Sequence, residues 1–413
     1  MSRGPGAARN GGGASGHLGR VDGIDVLRGF ALLGILLVNA QLMAGPYTAF
    51  GGGPGASAAD RAAAWAVTAT TTVYQLFSFL FGYSFVLHRR AARRAGAVFP
   101  ALHLRRTAGL FGLGLAHAVL LYPGDILMTY AALALVLYGL RGLTPRAAVR
   151  LAICLVAGLA VLLLGYGLLT VALTEPLTPA GYAPRVAESV AAYRGGALSV
   201  IGAHLRELPS ALGANLMYAP DMLAAFLAGL AAAGTGLVER RGRDRRWLRR
   251  TLSRWLPAGL AGGVVTACCA NGPLDSRWFL VGHAVSLLTA PALTVSYACA
   301  VLLLAGAVRP AAVVLAASGR MALSHYLTQS LVLALVFTGY GFGLYDRVGT
   351  AVVLAGCLTL YGLQLALGVW LMGRVRYGPA ELLLRTLTLA RRPGRAPASP
   401  DSHPAADGPL PVA

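Results

Sequence analysis

The sequence predicts an all-α fold, namely an integral membrane bundle of about ten transmembrane helices with both termini in the cytoplasm. Composition is the first reason, because 56% of the residues are hydrophobic and only 12% are charged, which is untypical of a soluble domain. Segment length is the second, because the apolar residues form runs of about 17–25 residues, enough to cross roughly 30 Å of hydrocarbon. The third is the position of the arginines, which lie mainly in alternate connections between these runs.

The apolar runs give the predicted order of the helices along the chain. The first run contains "DVLRGFALLGILLVNA", and the fourth is short. The predicted spans are approximately 24–43, 68–88, 105–121, 126–140, 151–173, 215–237, 255–271, 279–305, 318–339 and 349–372. Around this single membrane domain, 21–392, the Gly-rich residues 1–20 and the Pro-rich residues 393–413 are expected to be disordered tails, because neither can bury a core.

Two further segments are expected to lie on the membrane surface. The insert 174–214 has Pro/Gly punctuation followed by two short amphipathic patterns, so it is expected on the outer side, over the bundle. The segment "RYGPAELLLRTLTLARR" has Pro379 at a helix start and Glu381 in the first turn, which is typical of an amphipathic interfacial helix.

The arginines determine the predicted orientation. The formal net charge of +20 is carried by arginine alone, since the chain contains no lysine. With the N-terminus inside, 27 of the 35 basic residues fall in cytoplasmic segments and six in outer segments. The positive-inside rule then explains the charge with the lipid bilayer as partner and without nucleic acid. The Ala/Gly/Leu/Arg-rich composition indicates a bacterial genome, so the predicted location is the bacterial cytoplasmic membrane.

Ionisable groups inside apolar runs are candidate site residues, because each is expensive in hydrocarbon. In the first span, Asp25 and Arg28 share a helical face at the cytoplasmic rim, and Asn39 lies eleven residues, about 16 Å, deeper than Arg28. Arg28 at the rim with an amide near the middle of the membrane suits a tunnel-shaped anion site. A plain ion pair that reaches to the interface is the alternative for Asp25 and Arg28.

A second group lies in "LRRTAGLFGLGLAHAVLLYPGDILMTYAAL". Arg105 and Arg106 open a span at the cytoplasmic side, His117 follows within it, and Asp125 comes after a Pro-Gly turn at the outer side. Histidine is the side chain best suited to proton transfer near neutral pH, and a nearby carboxylate would orient it and stabilise its charge. The alternative is a structural histidine bonded to a backbone carbonyl, with Asp125 capping the next helix.

A third group lies in "ASGRMALSHYLTQSL". Ser318 is predicted to cap a helix that carries Arg320, His325, Tyr326 and Gln329. His325 and Gln329 share a face four residues apart, and Arg320 stands at the cytoplasmic end like Arg28. So many polar groups on one span indicate a lined cavity, with polar contacts between helices as the alternative.

Five segments in order resemble the signature segments of the YeiB-like bacterial membrane proteins, a family of unknown function: "RVDGIDVLRGFALLGILLVNAQ", "YQLFSFLFGYSF", "GLAHAVLLYPGDILMTYAALAL", "SGRMALSHYLTQSL" and "RYGPAELLLRTLTL". The resemblance runs from about residue 20 to 392. That family more remotely resembles the multispanning membrane acyltransferases, including those that O-acylate glycans and the heparan-α-glucosaminide acetyltransferase. Those enzymes pass an acyl group from cytosolic acyl-CoA to an acceptor across the membrane.

The chain also departs from these families. Asn39 stands where the O-acylating branch has its essential histidine, and the heparan-type histidine just beyond that position is absent from "NAQLMAGPYTAFGGGPG". His117 is therefore the candidate base, by elimination and by location. His325 stands where an asparagine is expected before Tyr326, and "AELLLR" lacks the usual tryptophans.

The resemblance implies a membrane acyltransferase, with acyl-CoA as donor and a small-molecule or glycan acceptor. Four arginines toward the cytoplasmic side are expected to bind the phosphates of acyl-CoA: Arg28, Arg105, Arg106 and Arg320. Asn39 is expected to polarise the thioester carbonyl, while His117, oriented by Asp125, deprotonates the acceptor. The expected cavity-lining residues are Asp25, His325, Tyr326 and Gln329. No metal is expected.

The competing prediction is a transporter or permease for a small or lipid-linked molecule, in which the same buried polar residues line a pathway. The sequence contains no inverted repeat and no pair of Gly/Pro-broken helices in matching halves. A scaffold without a ligand is a third class, and the number of polar groups within the spans argues against it.

Overall fold

The computed structural model describes residues 23–46, 56–70, 73–176 and 179–389. These residues form helices and turns, with no strand among them. Both predicted tails, 1–20 and 393–413, lie outside the described residues.

The described residues contain fifteen α-helices. In chain order they are α1 (Gly23–Ala44), α2 (Ala58–Thr70), α3 (Val73–Arg94), α4 (Phe99–Leu120), α5 (Leu127–Gly139), α6 (Pro145–Leu173), α7 (Pro179–Arg194), α8 (Ala197–Thr235), α9 (Leu237–Arg241), α10 (Arg245–Asn271), α11 (Phe279–Ala307), α12 (Arg309–Arg320), α13 (Ala322–Phe337), α14 (Thr350–Met372) and α15 (Pro379–Leu389). A short 3-10 turn, Ser276–Trp278, leads into α11.

Within the described ranges, five helical segments are long and apolar enough to cross a membrane: Gly23–Ala44, Pro145–Leu173, Ala197–Thr235, Ser276–Ala307 and Thr350–Met372. They correspond to the first, fifth, sixth, eighth and tenth predicted spans. The fourth and ninth predicted spans correspond to the shorter apolar helices Leu127–Gly139 and Ala322–Phe337. The other three fall largely on α3, α4 and α10, where arginines in one half of each helix reduce the mean hydropathy. The protein is therefore all-helical, with the composition of a membrane protein.

Helix α8 differs from its prediction, because the second amphipathic pattern of the insert continues directly into the sixth span. The helix runs for 39 residues through two prolines, Pro209 and Pro220. Proline removes one backbone hydrogen bond but does not always end a helix, which explains why the predicted boundary near residue 215 is wrong.

The predicted cap of the ninth span is also wrong. Ser318 lies inside α12, and a break at Met321 separates Arg320 on α12 from Tyr326 on α13. The cap comes instead from Glu381 at the start of α15. Its Oε1 accepts hydrogen bonds from the backbone N–H groups of Leu323 (2.7 Å) and Ser324 (3.1 Å). A carboxylate from a distant segment therefore satisfies the free N–H groups at this helix start.

Glycines bring the backbones of α3 and α8 into contact. A Cβ atom on Gly82 would lie 2.0 Å from the carbonyl oxygen of Phe226, and one on Gly229 would lie 2.0 Å from that of Phe79. Only hydrogen fits at these two positions, which is the packing that small residues permit between apolar helices.

The bundle has two ends that differ in charge. At the arginine-rich end, defined by Arg28, Arg106 and Arg320, the tip of α12 packs on the start of α1, where a Cβ on Gly319 would lie 1.8 Å from the Asp25 carbonyl oxygen. At the opposite end, the Asp346 N–H donates to the Ala44 carbonyl, 2.8 Å. Helices α1, α4, α5, α13 and α14 share one apolar core between these ends, and its buried members include Leu36, Leu110, Leu127, Tyr326 and Tyr361.

Candidate functional site

The most deeply buried pair of titratable side chains joins α4 to the turn before α5. His117 Nδ1 lies 3.0 Å from Asp125 Oδ1, and each side chain is 1% exposed. The two groups are close enough for an ion pair, although the ring N–H is not aligned for a straight hydrogen bond. The chain turns back at 121–126, and Gly114 admits Asp125 because a Cβ there would lie 2.6 Å from Oδ2.

Asp125 is held by three other elements. Its Oδ2 accepts from the Met128 N–H at 2.9 Å, so it also caps α5, and its Oδ1 accepts from the Tyr326 hydroxyl at 3.2 Å. From α8, the Asn215 amide donates to the Asp125 backbone carbonyl at 2.9 Å. The capping role expected as an alternative for Asp125 is present, and it exists alongside the contact with His117.

Neither ring nitrogen of His117 makes an aligned hydrogen bond among the described residues, although Nδ1 has Asp125 as a charged neighbour. Nε2 is buried and has no hydrogen-bond partner there, while the ring lies on Tyr326 with centroids 4.9 Å apart. His117 is not bonded to a backbone carbonyl. Three other described histidines are: His103 on Ala134 (3.0 Å), His204 on Val119 (3.0 Å) and His283 on Phe279 (3.1 Å). A histidine oriented by a carboxylate, with its other nitrogen free, is arranged to accept a proton.

Helix α8 and the segment before it cover this pair on the side of the opposite end. The His204 ring lies tilted against Tyr193, with centroids 5.6 Å apart, and the Tyr193 hydroxyl donates to Glu207 at 2.7 Å. Tyr193 in turn stacks on Tyr345, with ring centroids 4.7 Å apart. This segment therefore contributes a layer of aromatic and polar side chains at that end of the bundle.

Arg28 is bound on both sides at the arginine-rich end. Its guanidinium contacts Asp25 Oδ1 at 2.6 Å and donates to the Ser84 hydroxyl of α3 at 2.5 Å. The Arg28 and Asp25 side chains are 25% and 19% exposed, so the predicted ion pair exists and is only partly open to solvent.

Arg106 is half-buried close to Arg28, and the two positive charges repel each other. Glu381 attracts Arg106 but is already committed to the start of α13. Two guanidinium groups at one end of the bundle can bind an anion, even though the carboxylates of Asp25 and Glu381 offset their charge. Arg105 and Arg320 lie at the same end but are exposed, and the structure does not join them to Arg28.

The spacing along two helices places the deeper polar groups at a similar level. Asn39 lies eleven residues after Arg28 on α1, and His117 lies eleven residues after Arg106 on α4. Both helices start at the arginine-rich end, so each group lies about 16 Å deeper than the arginine on its own helix. Asn39 is half-buried, and no direct contact joins it to His117 in the described part of the chain.

The remaining predicted side chains form a second buried group between α13 and α14. Gln329 donates to Gln364 at 2.8 Å, and Gln364 donates to the His325 carbonyl at 3.1 Å. His325 Nε2 and Gln329 Oε1 are buried and lack partners among the described residues. His325 and Tyr326 are neighbours on α13 but serve different clusters, since Tyr326 contacts Asp125.

A further buried carboxylate was missed as a candidate. Asp221 on α8 is 1% exposed and accepts hydrogen bonds from Tyr74 (3.0 Å) and Gln75 (2.9 Å) of α3. The sequence places it near a span end, yet it is buried because the glycine contacts draw α3 against α8. The available signal was the polar pair Tyr74 and Gln75 inside an apolar run.

The chain is similar to proteins without an assigned activity. Residues 232–391 match the model of DUF418, a family described as a protein of unknown function. Over 394 residues the chain is 29% identical to the "Uncharacterized protein YxaH" of Bacillus subtilis (strain 168), with 89% of this chain and 94% of the relative covered. Over 385 residues it is 28% identical to an "Uncharacterized 39.9 kDa protein in amylase 3'region" of Bacillus acidopullulyticus, with 90% and 95% covered. No solved structure matches the chain. The comparisons thus relate this chain to a family of unknown function.

Proposed function

We propose that this protein is an acyltransferase of the bacterial cytoplasmic membrane, which moves an acyl group from cytosolic acyl-CoA to an acceptor at the outer face. The observation that carries the proposal is the buried His117–Asp125 pair, with the second imidazole nitrogen free. Its support is the pair of arginines about 16 Å away along the helices, Arg28 and Arg106.

The proposed topology has ten spans and both termini in the cytoplasm. Its support is the charge of the two ends of the bundle, because most arginines lie at the end that contains Arg28. In this orientation the start of α4 faces the cytoplasm, and the α7–α8 layer covers the outer side.

The donor binds with its phosphates at Arg28 and Arg106. A guanidinium matches a phosphate with two parallel hydrogen bonds, and an anion between the two arginines would relieve their repulsion. The thioester arm then extends about 16 Å inward, to the level of Asn39 and His117.

The transfer step uses one base. His117 Nε2 takes the proton of an acceptor hydroxyl or amine as that oxygen or nitrogen attacks the thioester carbon, and Asn39 donates a hydrogen bond to the developing oxyanion. The tetrahedral intermediate collapses with cleavage of the C–S bond, and the imidazolium returns the proton to the departing CoA thiolate. Asp125 stabilises the imidazolium, and Tyr326 keeps the carboxylate in place.

A transporter is the second candidate, and Asp221 is the observation that favours it. This carboxylate is buried and receives hydrogen bonds only from neutral groups, Tyr74 and Gln75, among its described contacts. Buried acidic groups of this kind occur in proton-coupled carriers.

The deciding experiment uses the full chain purified in detergent, with acetyl-CoA as probe. Calorimetry measures binding of the donor, and release of free thiol measures thioester hydrolysis. The proposal expects saturable binding by the wild-type protein and slow hydrolysis that is lost in His117→Gln. The matched control is His103→Gln, a buried histidine bonded to a backbone carbonyl, which should keep its hydrolysis rate. Absence of donor binding by folded wild-type protein would reject the enzyme and favour the transporter.

A further inference from the structure

An open groove follows one face of α4 on the outside of the bundle. Its volume is about 440 Å³, and its lining residues are Arg105, Ala108, Gly109, Gly112, Leu113 and Leu387. Residues 105, 108, 109 and 112 have the spacing of a single helical face, so the groove runs along the helix axis for about 10 Å.

The groove exists because its floor has almost no side chains. A Cβ on Gly112 would meet no atom within 4 Å, so this part of the groove is open. At Gly109 the α15 helix closes one wall, because a Cβ there would lie 2.9 Å from Leu384 and 3.5 Å from Leu387. The walls and floor are apolar, and Arg105 at the arginine-rich end is the charged lining residue.

We propose that this groove binds an anionic phospholipid of the bilayer, with an acyl chain over Gly109 and Gly112 and the phosphate at Arg105. The proposal requires α4 to lie in a membrane, but it does not require acyl transfer. Arg105 is exposed beside the apolar groove. If this end faces the cytoplasm, its guanidinium lies at the level of the boundary between the lipid headgroups and the acyl chains. One arginine near an anionic membrane surface favours binding about fivefold.

A second copy of this chain is the other occupant that small residues suggest, because Ala108 and Gly112 have the spacing of a helix-pairing motif. Charge favours the lipid. A two-fold axis through this face would bring two Arg105 side chains together, and like charges repel strongly where water is scarce.

The test counts bound lipids by native mass spectrometry on detergent-purified protein offered phosphatidylglycerol or phosphatidylcholine. The wild-type protein should prefer phosphatidylglycerol about fivefold. Arg105→Gln should abolish that preference, and Gly112→Leu, which fills the open part of the groove, should remove one bound lipid of either kind.

Matched controls lie on α6, which also has an exposed face. Arg150→Gln removes an exposed arginine, and Gly165→Leu adds a side chain where a Cβ meets nothing within 4 Å. Both controls should keep the preference and the lipid count. An unchanged preference in Arg105→Gln, equal losses in the controls, or a wild-type dimer that Gly112→Leu dissociates would each overturn the proposal, whatever the result of the acetyl-CoA experiment.

Discussion

Asp125 accepts a hydrogen bond from the Tyr326 hydroxyl at 3.2 Å while its same oxygen lies 3.0 Å from His117 Nδ1. The same carboxylate oxygen therefore contacts the imidazole of His117 on α4 and the hydroxyl group of Tyr326 on α13. This arrangement orients the imidazole and directs Nε2 away from Asp125. Nε2 is then the ring nitrogen that could take a proton, and substitution of His117 tests that role.

Replacement of His117 separates catalysis from structure. As a general base it contributes about 10²–10⁴-fold to the rate, so His117→Gln should lose transfer by that factor while acetyl-CoA still binds. Asp125→Asn should cost less, since that side chain orients and stabilises without carrying the proton. Turnover per folded molecule and calorimetric affinity measure the two effects. Turnover that survives in His117→Gln, with reduced thermal stability, would assign the histidine a structural role.

Arg28 and Arg106 should both determine donor affinity. Loss of a charge-assisted phosphate contact costs about 1.5–3 kcal/mol, so Arg28→Ala or Arg106→Ala should weaken acetyl-CoA binding roughly 10–100-fold. Lysine should restore only part of the loss, because it cannot make the paired contact. Titration calorimetry gives the affinities, with Arg150→Ala as the control at the same end. Equal affinity of the wild-type protein and both alanine variants would remove the phosphate site.

The close contact between α3 and α8 should be destabilised when a methyl group is added to one of its glycines. Gly229→Ala would push a Cβ to 2.0 Å from the Phe79 carbonyl oxygen, and overpacking of this kind costs about 1–3 kcal/mol. Gly158→Ala on α6 is the matched control, since its Cβ meets nothing within 4 Å and alanine favours a helix. Thermal unfolding in detergent should show a lower midpoint for Gly229→Ala only. An unchanged midpoint would mean that α3 and α8 can separate without cost.

Asp60 links the starts of α2 and α14 in a way that depends on pH. Its carboxylate accepts from Ser57 Oγ at 2.7 Å and from the Ala351 N–H at 3.0 Å, and these hydrogen bonds, that of Ser57 first, lower its pKa below 3.8. A lowered folded-state pKa stabilises the fold above the unfolded-state pKa, and this contribution is lost as the pH falls through the folded-state pKa. Asp60→Ala should therefore lower the unfolding midpoint at pH 7, with the difference from wild type shrinking below about pH 4. A difference that is constant from pH 7 to pH 3 would contradict this.

Cysteine labelling of intact cells tests the proposed orientation of the protein in the membrane. In a chain whose five native cysteines are replaced, Ser210→Cys on the outer insert should react with an impermeant maleimide. Ala91→Cys near the end of α3 and Ser253→Cys near the start of α10, beside the arginines of those helices, should react only after permeabilisation. Labelling of Ser253→Cys from outside would reverse the side assigned to every site residue.

The sequence alone was sufficient for the class of fold, and it named the two residues of the buried His117–Asp125 contact. Apolar run length predicted the long helices, because crossing hydrocarbon demands a minimum length whatever the neighbours are. Arg28, His117 and Asp125 could be identified as candidate site residues from the sequence, because an ionisable group inside an apolar run is costly in hydrocarbon. His117 and Asp125 are only eight residues apart, on a helix and the turn that follows. Their contact could therefore be expected from the local sequence.

Contacts between distant segments were decided only by the tertiary structure. Asp125 and Tyr326 are separated by 201 positions, and Glu381 accepts hydrogen bonds from backbone N–H groups that lie 58 and 57 positions earlier in the chain. Arg105 and Arg106 were predicted to act together, but consecutive residues on a helix point about 100° apart. Arg106 therefore lies near Arg28, and Arg105 lies beside the groove on the outside of the bundle. A sequence pattern gives the period of a helix, but the direction of each face depends on which helices pack around it, and that is a property of the whole bundle.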